Sequence, residues 1–289
     1  MKLRGKVAIV TGAGVGIGKS IALKFAEEGA KLAINSRTRS KIEETARGIR
    51  SLGAEVLVRT TDVSVSEEVE SFVNDTHKEF GRVDVLVNNA GVLGPVGVAA
   101  ENDVASWIHT IDVNLVGTFL CCRKVLPIMM RQRGGSIINM SGGGATLPYP
   151  RFSAYATSKA GVVGLTQTLA EEVKDHNVRV NAIAPGLTNT RLQDEILAAG
   201  DLAGERATMR AREAKEKGGA DPLRAANLAV FLASDESVRI TGRLISAVWD
   251  DWENLADRNR QNDLVSSELY TLRRIDGMFF APIKRDVQK

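Results

Sequence analysis

Lys6-Val7-Ala8-Ile9-Val10-Thr11 is a short apolar run rich in β-branched residues, and it passes directly into Gly12-Ala13-Gly14-Val15-Gly16-Ile17-Gly18. Beyond the glycines, Ile21, Leu23, Phe25 and Ala26 follow a helical pattern. A strand, a glycine-rich turn and a helix in that order constrain the fold more than any other stretch. Glycines let the backbone turn tightly and approach a pyrophosphate, which then sits at the positive end of the helix. The spacing Gly12-x-x-x-Gly16-x-Gly18 differs from the commoner Gly-x-Gly-x-x-Gly, and Gly14 keeps that commoner pattern open as well. The expected phosphate cradle is therefore Gly12, Gly14, Gly16, Ile17 and Gly18; a bare turn is the alternative.

The same alternation continues. Ala30 to Asn35 reads as a second strand, residues 40–52 as a helix, and Glu55 to Thr61 as a third strand ending in Asp62-Val63. Residues 66–80 read as another helix, leading to Val83-Asp84-Val85-Leu86-Val87 and Asn88-Asn89-Ala90-Gly91. Strands alternating with helices of this length imply an α/β fold, a doubly wound parallel sheet with helices on both faces. Ligands of such sheets bind beyond the carboxyl ends of the strands, where Asp62 and Asn89 lie. As lone polar residues they also suit turns or helix caps.

The end of the second strand bears on cofactor choice. An acid there accepts from the ribose 2′-hydroxyl of NAD, whereas a nearby arginine suits the 2′-phosphate of NADP. Here the residues are Ser36-Arg37-Thr38-Arg39, with no acid. Ser36 and Arg37 thus favour NADP over NAD. Solvated charges at the start of a helix are the competing reading.

Composition narrows the function classes. With 289 residues there is room for one large domain or two small ones. The net charge of +3 is too near neutral to indicate a nucleic-acid partner. The two cysteines, Cys121 and Cys122, are adjacent and read as reduced core residues. His77, His109 and His176 are scattered without metal-ligand spacing, so no metal is expected. No signal segment precedes the first strand and no run approaches the length of a membrane span. The expectation is a cytoplasmic protein with no membrane contact.

Residues 103–131 read as one long helix containing Asn114, a poor helix former that either points outward or lets the helix bend and frees a carbonyl. A strand follows at Gly135 to Ser141, then Gly142-Gly143-Gly144. Tyr155 and Lys159 are four apart, on one face of a helix. A free phenol has a pKa of about 10, and a neighbouring ammonium lowers it toward the range of general acid–base work. The next strand, Val178 to Ile183, leads to Ala184-Pro185-Gly186.

Together these pieces resemble the classical short-chain dehydrogenase/reductases. The matching elements are Thr11-Gly12-x-x-x-Gly16-x-Gly18, Asp62-Val63, Asn88-Asn89-Ala90-Gly91, Asn114, Tyr155-x-x-x-Lys159 and Asn181-Ala182-Ile183-Ala184-Pro185-Gly186, in order over about residues 3–245. The resemblance implies a single Rossmann-type domain and hydride exchange between a nicotinamide and a carbonyl or alcohol carbon. It makes Tyr155 the acid–base residue. Lys159 would lower the phenol pKa and hold the nicotinamide ribose, and Asn114 would anchor a proton-relay water. Asp62 and Val63 would contact adenine; Asn89, with Ala90 and Gly91, would meet the adenosine side. Pro185, Gly186 and Thr188 would meet the carboxamide. The resemblance also implies a homo-dimer or homo-tetramer built on the helices of Asn114 and Tyr155.

One departure stands out. The serine that steadies the substrate oxygen in this family lies 13 residues before the tyrosine, and that position is Gly142. Ser141, one residue earlier, is the first replacement, with Ser153, Asn139, a backbone N–H or no replacement as the others.

Residues 188–220, broken by Gly200, Gly204 and Gly218-Gly219, occupy the place of the substrate lid. The lid's Arg206, Arg210, Arg212, Lys215 and Lys217 suit either an anionic substrate or, interleaved with glutamates, a solvated face. Pro222 to Ala233 reads as a helix and Ile240 to Val248 as the last strand, closing a domain over residues 1–248. An extension over 249–289, opening at Trp249, follows, with Glu253 to Leu264 helical and Leu269 to Ile275 carrying apolar residues and two arginines. It is expected to pack on its own or a neighbouring subunit at the edge of the substrate cleft, a disordered tail being the alternative. The activity expected is an NADP-preferring oxidoreductase acting on a small carbonyl or alcohol. An NAD-dependent alcohol dehydrogenase and a catalytically impaired nucleotide-binding protein are the alternatives.

Overall fold

The computed structural model describes residues 1–267 and 269–272. Seven parallel strands form one sheet: β1 Val7–Val10, β2 Lys31–Ser36, β3 Val56–Thr60, β4 Val85–Asn88, β5 Gly135–Met140, β6 Val178–Ala184 and β7 Leu244–Ser246. Their spatial order is β3-β2-β1-β4-β5-β6-β7, so the direction of winding reverses between β1 and β4. That reversal opens a crevice at the carboxyl ends of the strands.

Helices cover both faces: α1 Gly16–Glu27, α2 Arg39–Ser51, α3 Ser66–Phe80, α4 Val104–Ile111, α5 Gly117–Gln132, α6 Ser153–Glu172, α7 Arg191–Ala198, α8 Glu205–Lys217, α9 Pro222–Ala233 and α10 Arg258–Ser266. Side chains alternate along a strand, so each strand feeds two cores. Ala8 and Val10 of β1, with Val85 and Val87 of β4, join α1, α2 and α9 on one face. Ile9 and Leu86, the residues between them, join α3 and α5 on the other. Strands buried on both faces read as continuous apolar runs for this reason.

Three boundaries differ from the sequence expectation. The long helix is not uniform: a π-helical turn, Asp112–Val116, separates α4 from α5. The last strand is only Leu244–Ser246, because Gly242 turns the chain at φ 71° before it. Glu253 to Leu264 is also divided. A 3₁₀ turn, Trp252–Ala256, is followed by α10, which Asp257 caps by accepting from the Asn259 N–H. Arg273, Arg274 and Ile275 lie outside the described residues.

Length and hydropathy also make Val104–Gln132 sufficient to cross a membrane, contrary to the sequence expectation, although 56% of its most apolar window is buried inside the domain. Gly161 of α6 packs against its π turn, where a Cβ would lie 2.8 Å from Leu115 Cδ2. Within the extension, Trp252, Leu255 and Leu264 are buried against the α1/α9 face. The lid helices α7 and α8 share a small third core with Leu93 and Phe152.

Candidate active site

The carboxyl ends of β1, β2, β4, β5 and β6 open into one cleft of about 1910 Å³. Its lining includes every residue expected at the site except Gly14 and Asn114, which sit just behind the wall. At its head is the glycine turn. Gly12 and Gly16 have φ of 65° and 57°, the left-handed region that glycine tolerates. A Cβ on Gly12 would lie 2.8 Å from Ala90 Cα, and one on Gly14 2.9 Å from Ser36 Oγ. Val15 offers α1 no side-chain cap, so the first N–H groups of the helix remain available to a ligand. A glycine-rich cradle closed by a helix N-terminus fits a pyrophosphate.

Asn89 plays a part that its position alone does not reveal. Its amide donates to the carbonyls of Thr11 at 3.0 Å and Gly12 at 3.2 Å. In return, the Thr11 hydroxyl accepts from the N–H groups of Asn89 and Ala90. These bonds fasten the end of β4 to the glycine turn.

At the end of β2, Ser36 Oγ accepts from the Thr38 N–H at 3.2 Å. The half-exposed Arg37 guanidinium lies 3.9 Å from the Asp62 carboxylate. Partial burial works against that carboxylate. Hydrogen bonds from the Ser64 hydroxyl and N–H outweigh it, with help from Arg37 and His109, and hold Asp62 below the usual carboxylate range. Lys41 lines the same corner. Val63 is buried, and Gly117 lies so close that a Cβ there would meet Val63 Cγ2 at 2.8 Å.

Asn114 is 1% exposed, so the outward-pointing reading fails. Its side chain accepts from the Val92 N–H and donates to the Val92 carbonyl, both at 2.9 Å, and also donates to Ser158 Oγ at 3.0 Å. One residue thereby ties the π turn to the loop after β4 and to α6. Its Oδ1 and Lys159 Nζ flank Gly91, lying 3.2 and 3.7 Å from where a Cβ would be.

Tyr155 and Lys159 do share one face of α6, with the ammonium 5.6 Å from the phenol ring centre. Lys159 donates to the Met140 carbonyl at 2.9 Å. Burial lowers its pKa from the ordinary 10.5 to about 8. Burial also pushes the Tyr155 phenol upward, and the neighbouring Tyr149 adds to this. This direction is opposite to the lowering expected from the spacing of Tyr155 and Lys159, because loss of water on burial dominates.

The replacements for the missing serine separate clearly. Ser153 Oγ accepts from Trp107 Nε1 at 3.0 Å and Asn102 Nδ2 at 3.3 Å. Asn139 accepts from Asn88 and donates to Thr166, and is fully buried. Ser141 lines the cleft, with its buried hydroxyl lacking a hydrogen-bond partner. Gly142 faces Tyr155 directly. At the end of β6, Pro185 and Gly186 line the cleft, and Thr188 Oγ1 is another buried hydroxyl without a partner.

Lys41 and Tyr149 are cleft residues that the sequence reading did not single out. Lys41 belongs to a helix start that reads as solvated. Tyr149 stands between Pro148 and Pro150 with no periodicity to place it. Trp249, 84% exposed, opens the extension and lines the cleft, as expected of an extension that edges it.

A doubly wound sheet with a phosphate cradle at its switch point, and a half-buried tyrosine beside a buried lysine in the same cleft, defines a dinucleotide-dependent oxidoreductase fold. Residues 6–200 match the short chain dehydrogenase family profile, and the chain belongs to that family. It is 36% identical over 245 residues to the 3-oxoacyl-[acyl-carrier-protein] reductase FabG of Thermotoga maritima, covering 85% of this chain and 97% of that one. It is equally 36% identical to the (2S)-[(R)-hydroxy(phenyl)methyl]succinyl-CoA dehydrogenase subunit BbsD of Thauera aromatica, over 85% of this chain and 96% of the relative. Among solved structures, an NAD⁺-bound xylitol dehydrogenase superposes with a TM-score of 0.80 at 28% identity, covering 85% of this chain and 98% of that one. Carveol dehydrogenase from Mycobacterium avium in complex with NAD gives 0.76 at 28% identity, with coverages of 85% and 96%. The protein is accordingly an NAD(P)-dependent oxidoreductase acting on CH–OH or C=O groups.

Proposed function

We propose that this chain is an NADP(H)-preferring oxidoreductase that interconverts a carbonyl and a secondary alcohol, with Tyr155 as its acid–base group. The observation that carries the reading is the placement of Tyr155 and the buried Lys159 in the same cleft as the glycine cradle. The nicotinamide, when bound, supplies or accepts the hydride. Tyr155, protonated at neutral pH, gives its proton to the substrate oxygen in the reducing direction. Lys159, and a water anchored by Asn114, resupply that proton from solvent, while the Asn114 side chain holds the loop after β4 through Val92. Thr188, with Pro185 and Gly186, meets the carboxamide. Asp62 and Val63 border the adenine.

Preference for NADP is supported by Ser36, Arg37 and Lys41 at the end of β2, where no acid stands to receive a 2′-hydroxyl. The domain spans 1–248 and carries the extension 249–289. A cytoplasmic homo-dimer or homo-tetramer is the expected form, with no nucleic-acid or membrane partner. The test is separate titration with NADPH and NADH at fixed salt, followed by a screen of carbonyl compounds. Tighter NADH binding would overturn the cofactor preference.

Gly142 opposite Tyr155 favours a second reading, a nucleotide-binding protein impaired in catalysis. Turnover of any carbonyl that disappears in Tyr155→Phe rules it out.

A further inference from the structure

Resting on Tyr155 as the acid–base group, one question follows from Gly142. A developing oxyanion needs more than one hydrogen-bond donor, and losing one costs on the order of 10²–10³ in rate. Ser153 and Asn139 already hold partners of their own. Ser141 continues the β5–β6 ladder, its N–H donating to the Ile183 carbonyl at 2.8 Å. Successive side chains in extended backbone point to opposite sides. With position 142 facing Tyr155, the side chain of Ser141 is directed away from it.

Tyr149 meets the requirement from across the loop. Its ring stacks on Phe152 with centroids 4.4 Å apart and planes 16° apart, which fixes its direction. It lies over the glycines: a Cβ on Gly143 would lie 3.5 Å from Tyr149 Cε1. A Cβ on Gly142 would meet the Tyr155 phenol and one on Gly143 the Tyr149 ring, so the two glycines lie against both tyrosines. The Tyr149 hydroxyl makes no hydrogen bond among the described residues, and the residue lines the cleft. Tyr149 is close enough to Tyr155 to raise the cost of ionising it, after the larger effect of burial. Burial raises the Tyr149 phenol itself, and Arg210 of α8 opposes that by favouring its phenolate. A phenol polarised by a nearby guanidinium is a stronger donor.

We propose that Tyr149 donates the second hydrogen bond to the substrate carbonyl oxygen, in place of the serine absent at Gly142. Tyr155 transfers the proton, and Tyr149 keeps its own.

The experiment uses NADPH and a ketone or aldehyde that the full-length protein reduces and Tyr155→Phe does not. Tyr149→Phe keeps the ring stack and is expected to lower kcat/KM by about 10²–10³ while NADPH affinity stays within about twofold. Ser141→Ala is expected to remain within about threefold of the parent. Arg210→Ala, at an exposed position, moves the basic limb of the pH–rate profile to higher pH and guards against misfolding of the first variant. Tyr149→Phe within about threefold of the parent, a loss that falls on Ser141→Ala instead, or an unmoved pH limb overturns the assignment. A parent protein that reduces no carbonyl removes the underlying reading itself, and this assignment with it.

Discussion

Gly142 lies against Tyr155: a Cβ on residue 142 would fall 2.5 Å from the Tyr155 hydroxyl oxygen. No relaxed structure accommodates that distance, so a side chain at 142 must push the phenol aside. Gly142→Ala is expected to lower turnover at least tenfold with NADPH binding retained, because a displacement of about 1 Å at a reacting group costs on the order of 10² in rate. Gly142→Ser does no better, although it restores the residue type usual in the family. Steady-state kinetics alongside cofactor titration checks this; faster turnover in Gly142→Ser would refute it.

Arg37 is about half exposed and lies 3.9 Å from Asp62. A charge-assisted contact to phosphate at such a site is worth about 1.5–3 kcal/mol at most. Arg37→Ala should weaken NADPH about tenfold and leave NADH within about twofold. Equal weakening of both cofactors would mean that the guanidinium does not meet a 2′-phosphate.

Lys159 makes stability depend on pH with a definite sign. Its folded pKa lies near 8, below the ordinary 10.5, so the folded state binds the proton less well than the unfolded state. The cost is fully present below pH 8 and is relieved as pH rises from 8 toward 10.5. That shift corresponds to about 3 kcal/mol, less about 1 kcal/mol for the bond to the Met140 carbonyl. Lys159→Met should therefore be the more stable protein at pH 7 by about 2 kcal/mol, with the gap closing toward pH 10, and should be inactive. Urea melts across that range measure it. A variant that is less stable at pH 7 contradicts the argument.

Arg243 anchors the extension. Its buried guanidinium donates to the carbonyls of Leu264, Val265, Ser267 and Leu269, and the neighbouring Leu244 N–H donates to the Tyr270 carbonyl at 2.7 Å. These include the last carbonyls of α10, which have no partner within the helix. Arg243→Ala removes charge-assisted bonds to four carbonyls, one of them buried, and should destabilise by about 1–3 kcal/mol. Protease should then cut first between residues 257 and 272. Uniform proteolysis across the chain would show that the extension is held by its apolar residues alone.

What the sequence by itself determined is local. Strand and helix follow from periods of two and 3.6 residues, and the turn at Gly12 follows from a backbone that only glycine adopts easily. The Tyr155–Lys159 pair was legible because four residues of helix place both side chains on one face. The tertiary structure decided everything that depends on partners distant in the chain. Asn114 reads as a poor helix former until Val92 and Ser158 close around it. Ser153 reads as a spare donor until Trp107 and Asn102 take it. The proton affinity of Tyr155 is set by burial under a loop that also brings Tyr149 close. Spacing fixes which groups can meet along one element, whereas desolvation and hydrogen-bond pairing depend on neighbours that only the folded chain supplies.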